Sequence, residues 1–221
     1  MNVIDIIISY RWAFLYGLLV TLQLFSIIAA SGIFFGSLVG VFAAYFRKTF
    51  GLFFQIISFL LSGIPVLVFL FWLHYPAQKW LDVNINPFYT AAFTFSVINI
   101  FAMGNIVREV LIDFPREYIV AARVCGIPWH QTVLRIQLPI VLRQMIPNVL
   151  SFQVIMLQST IFASLISVDE LFRASQDISS QIHRTIDIYT ALALIFLIMC
   201  LPINGIALYL RYRFTRNFSE Q

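Results

Sequence analysis

The chain has 221 residues, 61% of them hydrophobic and only 11% charged, with a net charge of +4. A water-soluble domain carries about 25% charged residues, so this composition excludes one and describes an all-α integral membrane protein of a single domain, 1–221. Its basic residues are spread over loops and form no face for nucleic acid, and its two cysteines, Cys125 and Cys200, are too few and too far apart for a disulfide framework or a metal cluster.

Residues 1–11 are expected to form a short interfacial helix, with Ile4, Ile7 and Ile8 opposite Asp5 and Ser9. This start lacks the basic residues of a cleaved signal and its apolar run continues well past signal length. The first span is expected at 12–46, about 50 Å of helix against a hydrocarbon core of about 30 Å, so part of it tilts or projects. Gly32, Gly36 and Gly40 repeat every fourth residue and predict a face for close helix packing. Arg47 and Lys48 mark a turn before the second span, 50–73. Pro65, in Ser62-Gly63-Ile64-Pro65, removes a backbone donor and predicts a kink there. A polar loop follows at 74–87, with Tyr75, Trp80 and Tyr89 at the lipid boundary. The third span, 88–107, contains Ser96, Asn99 and Asn105.

The stretch from Arg116 to Pro139 lacks membrane character but has an internal plan, and lies in a loop at about 108–143. It reads as two short helices broken at Gly126, which can take the positive φ that ends a helix, with Pro128 suited to the first turn of the next. Ala121/Cys125 and Ala122/Gly126 are spaced i,i+4, giving the first helix a face without bulk. Trp129, Val133 and Ile136 form an apolar stripe on the second, and Pro139 is expected to turn the chain back. After an apolar lead-in with Arg143, Pro147 is expected to start the fourth span, 148–168. A polar stretch, 169–187, leads to the fifth, 188–210, which contains Pro202, and Arg211, Arg213 and Arg216 close the chain. On this map ten Lys and Arg residues lie on one side and four on the other. The basic side faces the cytosol, so the N-terminus is expected outside and the central loop and C-terminus inside.

No ionisable residue falls in the middle of an expected span, which argues against a self-powered carrier. There is no G-x-x-x-x-G-K-[ST] run to cradle ATP and no H-E-x-x-H motif. His74, His130 and His183 fall on three separate loops. Neither catalytic nor metal-ligating residues are therefore expected, and a chain of this kind that moves solute needs a partner to power it.

Val120-Ala121-Ala122, three residues, Gly126, nine residues, then Ile136-Gln137-Leu138-Pro139 is similar to the E-A-A loop of bacterial ABC-importer permeases, with Val120 in place of the acid. Further matches run in order along the chain. Gly17 to Leu22 resembles the opening of the first span in the polar amino-acid branch, and Ser62-Gly63-Ile64-Pro65 resembles its R-G-T-P segment. Asn148 to Leu171 and Cys200 to Tyr212 follow its fourth and last spans, and five spans is that branch's usual number. Departures lie at Ser62 for Arg, at Ile64 for Thr, at Gln158-Ser159-Thr160-Ile161 for K-D-T-S and at Gly104-Asn105 for an Ala-Glu pair. They imply a different substrate or the divergent half of a heterodimer.

The resemblance implies a permease subunit of a type I ABC importer in the bacterial inner membrane, translocating a small polar solute of the amino-acid type. Its implied partners are ABC ATPase subunits that carry ATP and Mg, a second permease chain (the same or different), an extracytoplasmic substrate-binding protein and the bilayer. This chain itself would bind no cofactor. The implied coupling helix, about Glu117–Cys125, docks on the ATPase through Glu117, Val120, Ala121, Ala122, Arg123, Cys125 and Gly126. Pro128, Trp129, Val133, Ile136, Leu138 and Pro139 would anchor the loop to the spans. Asn99, Gln153, Gln158, Ser159 and Thr160 are candidates for the solute path, with interhelical hydrogen bonds as their ordinary reading, and Ser62 and Pro65 are further candidates. The charge losses also fit an alternative, a permease-like protein that docks an ATPase in a regulatory, non-transporting role.

Overall fold

The computed structural model describes the backbone of residues 3–216 and the side chains of 3–214. Residues 1 and 2 of the expected N-terminal helix, and the side chain of Arg216 in the expected basic tail, lie outside the described residues. The described chain is helical throughout: α1 (Val3–Ser9), α2 (Arg11–Tyr45), α3 (Phe50–Gly63), α4 (Val66–Trp80), α5 (Pro87–Ile112), α6 (Arg116–Val124), α7 (Trp129–Ile166), α8 (Leu171–Ile182) and α9 (Thr185–Arg216). Among the described residues, α2, α5, α7 and α9 are each long and apolar enough to cross a membrane, and α3 with α4 makes a fifth span if the bent pair counts as one.

The glycine repeat of α2 does what its spacing predicts. A Cβ on Gly36 would stand 2.6 Å from Met103 Cβ and 2.8 Å from the Ile100 carbonyl, and one on Gly40 would stand 2.5 Å from the Gly104 carbonyl. The backbones of α2 and α5 are therefore in direct contact, and α2 carries a π-helical turn at Gly32–Gly36 along this seam.

At Pro65 the expected kink is a break. Ile64 is extended, at φ −93° and ψ 122°, as the residue before proline prefers, and α3 and α4 meet at 95°. α4 then runs past His74, through a π turn at Leu73–Ala77, to Trp80, where a polar loop was expected. Buried Gln78 ties this end to the next span: it donates to Thr90 Oγ1 at 3.0 Å and accepts from the Ile85 N–H at 2.9 Å. Asn86 caps α5, accepting from the Phe88 N–H at 2.9 Å, with Pro87 in the first turn.

The largest correction concerns α7. Pro139 does not turn the chain back and Pro147 does not begin a span, because one helix runs from Trp129 to Ile166. A π turn at Thr132–Gln137 precedes Pro139, which then sits in the first turn of the α-helical part, where a missing N–H is least felt. Pro147 is buried inside the helix. The stretch 169–187, expected as polar loop, contains α8, whose Leu171, Ser175 and Ile178 are buried. α9 exceeds the expected 188–210 at both ends.

Three clusters hold the described bundle together, the smallest of them Val154, Leu157 and Cys200 between α7 and α9. Leu24, Ile28, Leu70, Phe95, Met156 and Ile166 join α2, α4, α5 and α7. Ile6, Phe14, Leu171, Ile178 and Ile188 join α1, α2, α8 and α9. The buried residue of α1 is thus Ile6, while Ile4 and Ile8 of the expected apolar face are exposed. The outward faces carry large apolar side chains such as Phe59 and Ile198, a pattern suited to lipid rather than water.

Candidate functional site

The elbow between α6 and α7 is closed by hydrogen bonds that depend on a left-handed backbone at Gly126. The Gly126 N–H donates to the Arg123 carbonyl at 3.1 Å and the Ile127 N–H to the Ala122 carbonyl at 2.9 Å. This pair of bonds is the Schellman arrangement, with Gly126 left-handed at φ +72°. Glu117 lies in the first turn of α6 and Arg123 in the last, each favourable to the helix dipole. Pro128 is extended and immediately precedes α7 instead of lying within its first turn.

The expected small face is divided. Ala122 is buried, whereas Ala121, Cys125 and Gly126 are exposed together with Glu117 and Arg123. A Cβ on Gly126 would meet nothing within 4 Å. The outer surface is not free of bulk, since Val120 and Val124 also project, the latter 83% exposed. α6 packs mainly on the π turn of α7. Of the expected anchors, Val133, Ile136 and Pro139 are half-buried, while Pro128, Leu138 and Trp129 are exposed. Trp129 does not tie the elbow to the spans within this chain. Thr132, absent from the expected set, is buried there and donates to the Pro128 carbonyl at 3.3 Å.

The path candidates separate into two groups. Asn99 and Gln153, both buried, bond reciprocally across α5 and α7 at 3.2 and 3.3 Å. Asn99 also donates to the Ile28 carbonyl at 2.7 Å, in the space left by Gly32, so one amide pair joins three helices. Thr160 is fully buried and donates to the Leu157 carbonyl; Ser159 donates to the Ile155 carbonyl. These side chains are engaged in hydrogen bonds within and between helices. Gln158 is exposed, with Cys200 Sγ at 3.9 Å. Ser62 and Pro65 are exposed, and Ser62 lines a groove between α3 and α5 with Gln55, Ser58, Asn105, Arg108 and Glu109. The spacing of Gln55, Ser58 and Ser62 marks a polar strip along one face of α3, although not the helix it pairs with.

Outside the spans, Glu170 caps α8. Its carboxylate is fully buried and accepts from the Phe172 and Arg173 N–H groups, each at 2.9 Å. Thr21 Oγ1 accepts from the Leu171 N–H at 3.1 Å, which fixes this cap against α2. Burial raises the Glu170 pKa to about 7 from 4.5, against the opposing pull of the two backbone bonds and of Thr21. The folded chain therefore holds a proton that the unfolded chain releases between these values. Its stabilising effect is complete below pH 4.5 and is lost as pH rises through 7. We expect the melting temperature of the detergent-purified protein to fall between pH 5 and 8, with a contribution of order 3 kcal/mol, and Glu170→Gln to flatten that dependence.

Among the described residues no group of three or more His, Cys, Asp or Glu side chains could hold a metal. Residues 32–216 match the family described as binding-protein-dependent transport system inner membrane component. The chain is 30% identical to the octopine transport system permease protein OccM of Rhizobium radiobacter, over 64% of this chain and 61% of that protein. It is 26% identical to the glutamine transport system permease protein GlnP of Escherichia coli, over 81% and 84%. It is 24% identical to the histidine/lysine/arginine/ornithine permease protein HisQ of Salmonella typhimurium, over 94% and 95%. Its fold matches a crystal structure of an amino acid ABC transporter with histidines, at TM-score 0.84 and 20% identity, over 96% of this chain and 99% of that one. It also matches the inward-facing MetNI methionine ABC transporter, at TM-score 0.73 and 18% identity, over 92% and 97%.

Proposed function

Since the chain belongs to the binding-protein-dependent transport system inner membrane component family, the permease subunits of ABC importers, we propose that it carries a small polar solute of the amino-acid type into the cell. Relatives matched over most of their length are named for glutamine and for histidine, lysine, arginine and ornithine, which supports that solute class. Two ATPase subunits, holding ATP and Mg, would each receive one elbow. A second permease chain would complete the path, and an extracytoplasmic binding protein would deliver the solute. The observation that carries the reading is the exposed, glycine-closed elbow of Val120 to Gly126, set at one end of the 38-residue helix α7.

In this reading the N-terminus lies outside and the elbow and C-terminus inside. The cluster of Arg108, Arg116, Arg123 and Arg135 around the elbow supports that orientation. Glu117, Val120, Ala121, Arg123, Cys125 and Gly126 offer the docking surface, and buried Ala122 lets α6 lie close on α7.

The test is to purify the chain in mild detergent, identify the proteins that accompany it, and reconstitute them in liposomes with a panel of isotope-labelled amino acids. We expect an ATPase to co-purify and ATP to raise uptake of at least one amino acid tenfold or more. Stimulated hydrolysis without solute movement would instead support the regulatory, non-transporting alternative, and absence of any ATPase would refute both.

A further inference from the structure

We propose that the groove between α3 and α5 binds the zwitterionic head of the solute, with Arg108 taking the carboxylate and Glu109 the ammonium. The proposal rests on the transport reading and gives it a place in the chain. The groove is open on one side and holds about 330 Å³, at the lower end of the roughly 300–1,000 Å³ range of small-molecule sites. It is made by two helices that turn polar residues towards each other. α3 contributes Gln55, Ser58, Phe59 and Ser62, and α5 contributes Asn105, Arg108 and Glu109.

Polar side chains on neighbouring spans ordinarily bond one another, and Asn105 and Ser58 do so. The rest of the groove is not used up in this way. Arg108 Nε is buried and has no hydrogen-bond partner, and among the described residues Arg108 makes no ion pair. Leaving a buried donor unsatisfied is unfavourable. A carboxylate is the group that a guanidinium fork accepts in two parallel bonds. Glu109, the next residue, is exposed and also lines the groove, so a cation and an anion border the same space, as the head of an amino acid requires. Gln55 and the lone pairs of Ser62, whose hydroxyl hydrogen is held by the Phe59 carbonyl at 2.8 Å, remain for a polar side chain.

The position of the groove suits a solute on its way inward. Ser62 stands just before the break at Pro65, and Arg108 lies in the last turns of α5, which leads directly into α6 and the elbow.

The test is equilibrium binding to the complete permease–ATPase complex in nanodiscs, without the binding protein. The probe is whichever labelled amino acid the wild-type complex takes up best, compared with its carboxamide. Arg108→Gln should raise the Kd for the amino acid at least tenfold and leave the already weak carboxamide unchanged, and Arg108→Lys should restore part of the difference. A wild-type complex that takes up no amino acid would overturn the transport reading. Normal uptake with an unaltered Kd in Arg108→Gln would overturn the site alone. Equal weakening of acid and carboxamide would mark a structural arginine and overturn it too. So would an unaltered Kd accompanied by loss of co-purifying phosphatidylglycerol in native mass spectrometry, because Arg108 would then hold a lipid phosphate.

Discussion

Gly126→Trp is expected to leave the protein inserted and folded while reducing ATP-driven uptake by more than tenfold in the reconstituted importer. The backbone at Gly126 is left-handed, φ +72°, which disfavours any residue with a Cβ by about 1–2 kcal/mol. That penalty is local, and within this chain a Cβ there meets nothing within 4 Å. The indole would therefore project from the exposed side of the elbow, where the docking reading places the ATPase. Gly126→Asn separates the two effects, since Asn tolerates the left-handed region and adds little bulk. Uptake should be largely retained with Asn and lost with Trp, with hydrolysis running uncoupled in the latter. Normal uptake in the Trp variant would count against docking at this surface, and equal loss in both would assign the effect to the turn itself.

The largest effect on stability is expected from Gly40→Leu. Its Cβ would lie 2.5 Å from the Gly104 carbonyl oxygen and 2.9 Å from Val107 Cβ. The first of these is backbone and cannot step aside as a side-chain end can, so α2 and α5 would have to separate. Overpacking typically costs about 1–3 kcal/mol, a clash with backbone falls at the upper end, and the seam it opens also carries Asn99. A sharp fall in melting temperature and in the yield of monodisperse protein should follow. Gly205→Ala on α9 serves as the comparison, because a Cβ there meets nothing within 4 Å, and it should leave the melting temperature within experimental scatter. A Gly40→Leu protein as stable as wild type would show that the seam is looser than these distances imply.

Local chemistry made some of this legible in the sequence. Gly32, Gly36 and Gly40 announced a close helix contact because the absence of side chains at that spacing has few other uses. Gly126 announced a helix end because its conformation is closed to most residues. Pro65 marked a bend, although how far the chain turned there depended on how Ile64 could sit before a proline. The misreadings came from treating proline and polarity as punctuation. Pro139 reads as a stop only in a regular α-helix, and the preceding π turn at Thr132–Gln137 removes the conflict. α8 was hidden because its hydropathy is low, yet Glu170 as cap followed by Leu171, Ser175 and Ile178 gives one buried face at helical spacing. At the candidate site, the elbow's turn was readable, but which of Ala121 and Ala122 faced outward was not, because both fit the same spacing. The groove at Arg108 depended on the pairing of α3 with α5, which no local pattern encodes.

Continuity of α7 through both prolines has a mechanical meaning. A helix of 38 residues at 1.5 Å each is a rod about 57 Å long. Swinging such a rod by about 10° from its Trp129 end carries the Ile166 end through roughly 10 Å. If the elbow receives an ATPase as proposed, a modest displacement there would become, at the far end of α7, a stroke about the size of an amino acid.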